Sequence, residues 1–233
     1  IAAIGVVRGF LKNRVRELEL ALPERHDTLD ALDRALDLDA SLLSISYASS
    51  AQERVLARRD AEERAIRKIQ SLLLSGHHHL VSLDEIRTAL ARLVPAEALV
   101  IAVDRPAACA MQIYGMDGTF PIAGVVPGAF IPYEDAALSA VVRSGISRTL
   151  ALSPTDPLLL HQAFFRCGII EITLLPLWVD DRVIGTLILG ARTPGSPPEA
   201  RTEFLLSVAD AIALAVARHE ASLRLFDTEE QFR

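Results

Sequence analysis

Two apolar runs of strand length, Ile169–Val179 and Val183–Gly190, are separated only by Asp180-Asp181-Arg182. Runs rich in Ile, Leu and Val around so short a polar break predict a β-hairpin, with the aspartates supplying the turn. Glu171 and Thr186 interrupt the runs without restoring an in-out alternation, which predicts inner strands covered on most of both faces. A long helix is expected next. Ser196 can cap a free amide, Pro197 lacks only a donor that would go unpaired, and Glu199 can reach back to the cap residue's N–H. Phe204, Val208, Ile212 and Val216 then recur every fourth residue, one stripe of a helix packing on the sheet. On physics alone this stretch reads as a generic α+β core.

The chain has 233 residues, 51% of them hydrophobic, enough for one medium domain plus appendages. A net charge of −6 argues against non-specific nucleic-acid binding, which needs a basic face. No run of 18 or more apolar residues occurs, so no membrane span is expected. The sequence opens at Ile1, and Arg8, Lys12, Arg14 and Arg16 follow its apolar residues, the reverse of a signal peptide's order. It reads as an excerpt of a longer cytoplasmic polypeptide. Cys109 and Cys167 fit a reduced compartment, and both are expected to be buried as small apolar residues.

The first 75 residues are helical in pattern. Ile4, Val7, Leu11, Val15, Leu18 and Leu22 recur every three or four residues, with Pro23 expected to stop the helix. A second is expected from Asp27 or Thr28, with Leu29, Leu32, Leu36, Leu42, Leu43 and Tyr47 as apolar positions. No Gly or Pro occurs from Glu24 to Ser75, so helix can continue. Ala51–Gln70 mixes charges of both signs. Ile66, Ile69 and Leu73 keep 3-4 spacing, but Arg59 and Glu62 interrupt the seam, so a solvated face and a coiled-coil dimer seam are both open. As one helix, Ser41–Ser75 would be about 50 Å long, a spacer between domains.

Beyond Gly76, Ser82 and Glu85 form a capping box for a helix with Leu83, Ile86, Leu90 and Leu93 on one face. Ala98–Val103 and Cys109–Tyr114 read as strands, Met116-Asp117-Gly118 as the turn after them, and Thr119–Tyr133 as loop with room for a short strand. Ala136–Ser144 is helical up to Gly145, and Leu158–Arg166 is a further short helix. That order describes one antiparallel sheet with helices on a face.

At Ser82–Arg218 the pattern resembles a GAF domain, the small-molecule sensor fold related to PAS. The resemblance rests on LLPLWVDDRVIGTLILGAR, on the helix PPEARTEFLLSVADAIALAVAR, and on ALSAVVRSGISRTL, similar to the family's helix–Gly–strand segment. It implies an α+β, GAF/PAS-like antiparallel sheet with flanking helices. A second resemblance lies upstream. LPERHDTLDALDRALDLDASLLSISY is similar to the last helix of the globin domain in bacterial globin-coupled sensors. It implies an incomplete all-α globin tail over residues 1–50, a linker helix over 51–76, the GAF domain over 77–218 and an output helix over 219–233. The family's haem-ligating histidine lies on an earlier helix, so haem is possible only in an upstream globin part. His26 is not drafted as a ligand, and no cofactor is expected within this sequence.

Other chemistry is thin. His77, His78 and His79 invite a metal reading, but adjacent histidines on a helix diverge by about 100° and zinc ligands usually stand farther apart, so no metal is expected. Bilin-attaching GAF members place histidine after the cysteine, whereas Ala110 follows Cys109 and Gly168 follows Cys167. No Asn or Lys occurs from His77 to Glu220, so the Asn-Lys-Phe-Asp-Glu motif of cyclic-nucleotide-binding members is absent. Members that reduce methionine sulfoxide use several cysteines, which these two do not match. Met111, Tyr114, Phe130, Ile131, Tyr133, His161, Phe164 and Phe165 fall where GAF folds line their cavity. They are candidates for an apolar pocket for an unknown small molecule, or for plain core. No catalytic residue stands out.

Ile212, Val216, His219, Leu223 and Phe226 keep helical spacing past what a sheet-covering helix needs, and FDTEEQFR resembles the linker often found before a PAS domain. Ile66, Ile69, Leu73, Val216, His219, Leu223 and Phe226 are therefore expected to form dimer and relay seams, on the ground that one GAF core cannot easily bury the apolar ones. The leading expectation is a cytoplasmic, homodimeric sensory module of a bacterial signalling protein, with two-component or cyclic-di-GMP output. An effector-binding domain of a transcription regulator and a GAF-scaffold enzyme of the methionine-sulfoxide reductase type remain as alternatives.

Overall fold

In a computed structural model the described residues are 2–17, 22–75, 83–118, 125–133, 136–195 and 199–231. The chain divides into two compact units, Ile1–Asp60 and Ala61–Arg233.

The first unit holds α1 (Ala2–Glu17) and most of α2 (Leu22–Ser75). The two helices run antiparallel, tied by Lys12 Nζ to Asp33 Oδ2 at 2.7 Å and by Arg8 to Asp33 and Asp37. Pro23 does not end the first helix; it sits in the first turn of α2, where a missing N–H costs nothing. The second helix does not begin at Asp27 or Thr28 but at Leu22, and the Thr28 hydroxyl donates back to the Glu24 carbonyl at 2.7 Å within it.

The second unit adds α3 (Leu83–Leu90), β1 (Ala98–Arg105), β2 (Ala110–Gly118), β3 (Phe130–Pro132), α4 (Ala136–Ser144), β4 (Arg148–Ala151), α5 (Leu159–Arg166), β5 (Glu171–Val179), β6 (Arg182–Ala191) and α6 (Glu199–Gln231). The six strands form one sheet in the order β3-β2-β1-β6-β5-β4, antiparallel throughout. The expected hairpin is β5–β6, paired from Glu171↔Ala191 to Val179↔Arg182. Its turn is Asp180-Asp181, with Asp180 at φ +52, a left-handed conformation that Asp tolerates better than most residues. Arg182 already belongs to β6.

The sheet is apolar on both faces because it lies between two helical layers. On one face Leu99, Ile101, Val103, Leu187 and Leu189 pack with α3, with α6 and with Ile69 of α2. On the other, Val100, Met111, Ile113, Ile172 and Ile188 pack with Leu138 and Val141 of α4 and Leu160 and Phe164 of α5. The stripe Phe204, Val208, Ile212 and Val216 is buried as its spacing predicts. The cap residues proposed for α3 and α6, Ser82 and Ser196, lie outside the described residues.

Two strand expectations change. Met116-Asp117-Gly118 is not a turn, because β2 continues and pairs Val100↔Met116, Leu99↔Asp117 and Ala98↔Gly118. There Asp117 accepts from Arg87 Nε, whose guanidinium also holds Asp84 Oδ1 at 2.6 Å, tying α3 to β2. Cys109 is not a buried strand residue. It is exposed at φ +47, closing the 3-10 turn Pro106–Ala108 between β1 and β2, and Cys167 is half-buried.

Candidate functional site

The edge of the sheet and α5 together build a cavity. On the sheet side β2 contributes Ile113, β3 contributes Phe130, Ile131 and Pro132, and Val125 precedes them. On the helix side Leu159, Ala163 and Arg166 recur at helical spacing, with Leu160, Gln162 and Cys167 beside them. The groove measures about 390 Å³, within the usual range for small-molecule sites. Its wall is mainly apolar, and among the described residues Arg166 is the single charged one lining it.

The N-terminal turn of α5 is pinned from below. Asp156 accepts from the Leu158 amide at 3.1 Å and pairs with His161 Nδ1 at 2.9 Å, while Gln162 Nε2 donates to the Asp156 carbonyl at 2.8 Å. Burial alone would raise the Asp156 pKa, but the bonds from His161 and Leu158 and the charge of His161 outweigh it and lower the value. His161 is thus a buried anchor of α5 rather than a group lining the groove.

The other candidate pocket residues divide. Phe130 and Ile131 line the groove. Met111 and Phe164 lie in the core on the same face of the sheet, with Phe165 and Tyr133 packed against it. The Tyr133 hydroxyl donates to Asp104 Oδ1, and burial together with that bond raises its pKa to about 12. Tyr114 is placed elsewhere. Its ring packs on the opposite face, edge-on to His219 of α6 with centroids 6.0 Å apart. Burial, and then the nearby Glu220 carboxylate, raise its pKa to about 12.

Sequence reasoning missed the α5 wall of Leu159, Gln162, Ala163 and Arg166. The 159-163-166 spacing is present in the sequence, but an exposed leucine and an arginine carry no pocket signal alone.

A polar cluster centred on Arg105 of β1 links Gln112 of β2 to Glu220 of α6. Arg105 Nε donates to Gln112 Oε1 at 2.9 Å and Arg105 Nη2 to Glu220 Oε1 at 2.5 Å, with Arg224 Nη2 3.8 Å from Glu220 Oε2.

The proposed dimer and relay residues also divide. Ile69 and Val216 are buried within the core of a single chain, so for these two the premise that one GAF core cannot easily bury them fails, while Ile66 and Leu73 are only partly buried against it. The end of α2 folds against α3 and α6, which the seam reading overlooked. His219 is half-buried, Leu223 is exposed, and the Phe226 side chain lies outside the described residues. So do His77, His78 and His79. Among the described residues no group of three or more His, Cys, Asp or Glu is placed to hold a metal ion, and no helix is long and apolar enough to cross a membrane.

The family model for the GAF domain matches residues 26–216. With the sheet order and the two helical layers above, this places the chain plainly: it belongs to the GAF domain family. Among solved structures it is similar to the GAF domain of an Acinetobacter phosphoenolpyruvate-protein phosphotransferase, at 15% identity and a TM-score of 0.56, over 70% of this chain and 97% of that one. It is similar also to the GAF domain of a two-component sensor histidine kinase from Bacillus halodurans, at 15% identity and a TM-score of 0.52, over 60% and 94%. A free methionine-R-sulfoxide reductase from Neisseria meningitidis, solved with its substrate, shares the fold at 12% identity and a TM-score of 0.52, over 69% and 91%. No curated protein sequence matches the chain.

Proposed function

We propose that the chain is the sensory and regulatory module of a bacterial signal-transduction protein, in which occupancy of the α5 groove is relayed through β2 to α6. The alternation of β2 carries this reading. Met111 and Ile113 face the groove side, whereas Gln112 and Tyr114 meet Arg105, His219 and Glu220 on the other. A displacement of β2 by a ligand therefore acts on the exit helix directly through Tyr114 and His219, and through Arg105 of β1 on Glu220. The sensor kinase and phosphotransferase GAF domains support a regulatory role as a class, and the reading assigns no catalytic residue and no cofactor to this chain. The test fills the groove covalently. Ala163→Trp should alter amide hydrogen exchange over residues 217–225, and Arg105→Gln in the same background should remove most of that change. If exchange in α6 is the same with the groove filled and empty, the relay reading falls.

In the same reading the chain acts as a cytoplasmic homodimer whose contact lies along α6, where Leu223 and Leu225 are left exposed. Residues 1–50 are the last two helices of a globin-like sensor domain, 51–76 a linker, 77–218 the GAF domain and 219–233 the output helix, although the family match begins upstream, within α2. Light scattering should give a dimer, with Leu223→Asp shifting it toward monomer; a monomeric unmutated chain would remove the dimer from the proposal.

A further inference from the structure

The lining of the α5 groove has a polarity that bears on what it binds. Ile113, Val125, Ile131 and Leu160 supply apolar wall, and among the described residues no carboxylate lines the cavity. Arg166 is the charged group present, on the exposed last turn of α5. Among the described residues its guanidinium makes one bond, Nη2 to Gln162 Oε1 at 3.5 Å, the outer limit for such a contact. A guanidinium has five donors in a planar fork that matches a carboxylate with two parallel bonds, so most of its capacity is uncommitted. The chain as a whole carries a charge of −6, so a groove whose described lining holds a cation and no acid runs against the sign of the molecule's net charge.

We propose that the groove takes a small amphiphilic carboxylate free in solution, its apolar chain against Ile113, Val125, Ile131 and Leu160 and its head on Arg166. This rests on the groove being the sensory site. The division of labour follows from the geometry. A chain laid on the apolar wall gains affinity by leaving water, and a head at the rim keeps part of its hydration while meeting a cation. A volume of about 390 Å³ holds a molecule of decanoate size and does not hold a folded peptide or a nucleic-acid strand. A neutral alcohol of the same length loses only the head contact, and an ammonium of that length meets a like charge.

Calorimetric titration with decanoate, decanol and decylammonium, each kept below its micelle-forming concentration, separates the parts of the proposal. Decanoate should bind about tenfold tighter than decanol, as expected for one charge-assisted pair at a partly exposed site. Decylammonium should bind weakest. Each methylene removed from the acid should weaken binding about fourfold. Arg166→Gln should bring decanoate to the affinity of decanol and leave decanol unchanged, while Arg166→Lys should restore part of the difference. Because Arg166 is exposed, neither substitution threatens the fold, and an unaltered thermal melt checks this. Decanol binding as tightly as decanoate would overturn the charged-head assignment and leave the groove reading standing. Failure of all three probes to bind the unmutated chain would overturn both. Decanoate binding undiminished in Ala163→Trp would place the site elsewhere and overturn the proposal.

Discussion

On the α3/α6 side of the sheet Leu187, Leu189, Phe204, Val208 and Ile212 are each at most 5% exposed, whereas on the α4/α5 side the helix layer stands off the edge strand and leaves a groove of about 390 Å³. Both faces are built from the same kind of residue, so composition does not explain the difference. Helix length does. α6 has 33 residues and lays its stripe along β5 and β6, while α5 has 8, about 12 Å of helix, and cannot cover β3 as well. In the proposed relay the closed face is the transmitting layer and the open one the receptive layer.

The largest effects should come from the core beneath each face, where the comparison predicts similarity. Phe164→Ala, under the groove, should cost about 3–5 kcal/mol, and Ile69→Ala, under the closed face, about 2–5 kcal/mol, read by denaturant unfolding. Leu42→Ala, at an exposed position of the same α2 helix, should stay within about 0.5 kcal/mol. If Ile69→Ala were equally silent, the end of α2 would not belong to the GAF core.

Gly145 offers a sharper test of the receptive side. It takes φ +67 at the end of α4, and a Cβ there would meet the Trp178 ring at 2.2 Å. Gly145→Ala should therefore cost about 1–3 kcal/mol and displace the indole. The chain's single tryptophan makes this visible as a shift in its emission. Unchanged emission and stability would mean that α4 and β5 are not locked together there.

The anchor of α5 predicts an acid-side effect. Because the folded Asp156 pKa is lowered, the group stabilises the fold above its unfolded value and loses that contribution as pH falls through the folded one. The stability difference between the unmutated chain and Asp156→Asn should thus be present at neutral pH and shrink below about pH 4. A difference independent of pH would break the assignment. The smallest effect on stability is expected at the groove rim. Phe130 is 55% exposed, so Phe130→Ala should change stability by less than about 0.5 kcal/mol while weakening any ligand held there. A large loss of stability would mean that the rim is structural and the contrast between the faces is smaller than drawn.

The hairpin β5–β6 and the α6 stripe were legible because each signal is local: a polar turn between apolar runs, and a four-residue repeat. Pro23 and Met116-Asp117-Gly118 misled for the opposite reason. A proline is read as a stop although the first helical turn accepts it, and a Gly-containing triplet is read as a turn although pairing with β1 holds it extended. Of the site, Phe130 and Ile131 were found, and Tyr114 was grouped with Met111 although the two lie on opposite faces. Three residues apart on one strand, Met111 and Tyr114 fall on opposite faces by plain alternation, a signal the sequence carried and the grouping of aromatic residues passed over.

By itself the sequence determined the α+β class, the central hairpin, the buried stripe of α6 and the resemblance to the GAF family, because these depend on periodicity and on neighbours in the chain. Only the tertiary structure decided that Ile69 belongs to the core, that Arg105 and Glu220 join β1 to α6 across 115 positions, and that α5 leaves a groove with Arg166 at its rim. Those outcomes depend on which elements meet and on how far a short helix reaches across a sheet. Both are properties of packing rather than of any one segment.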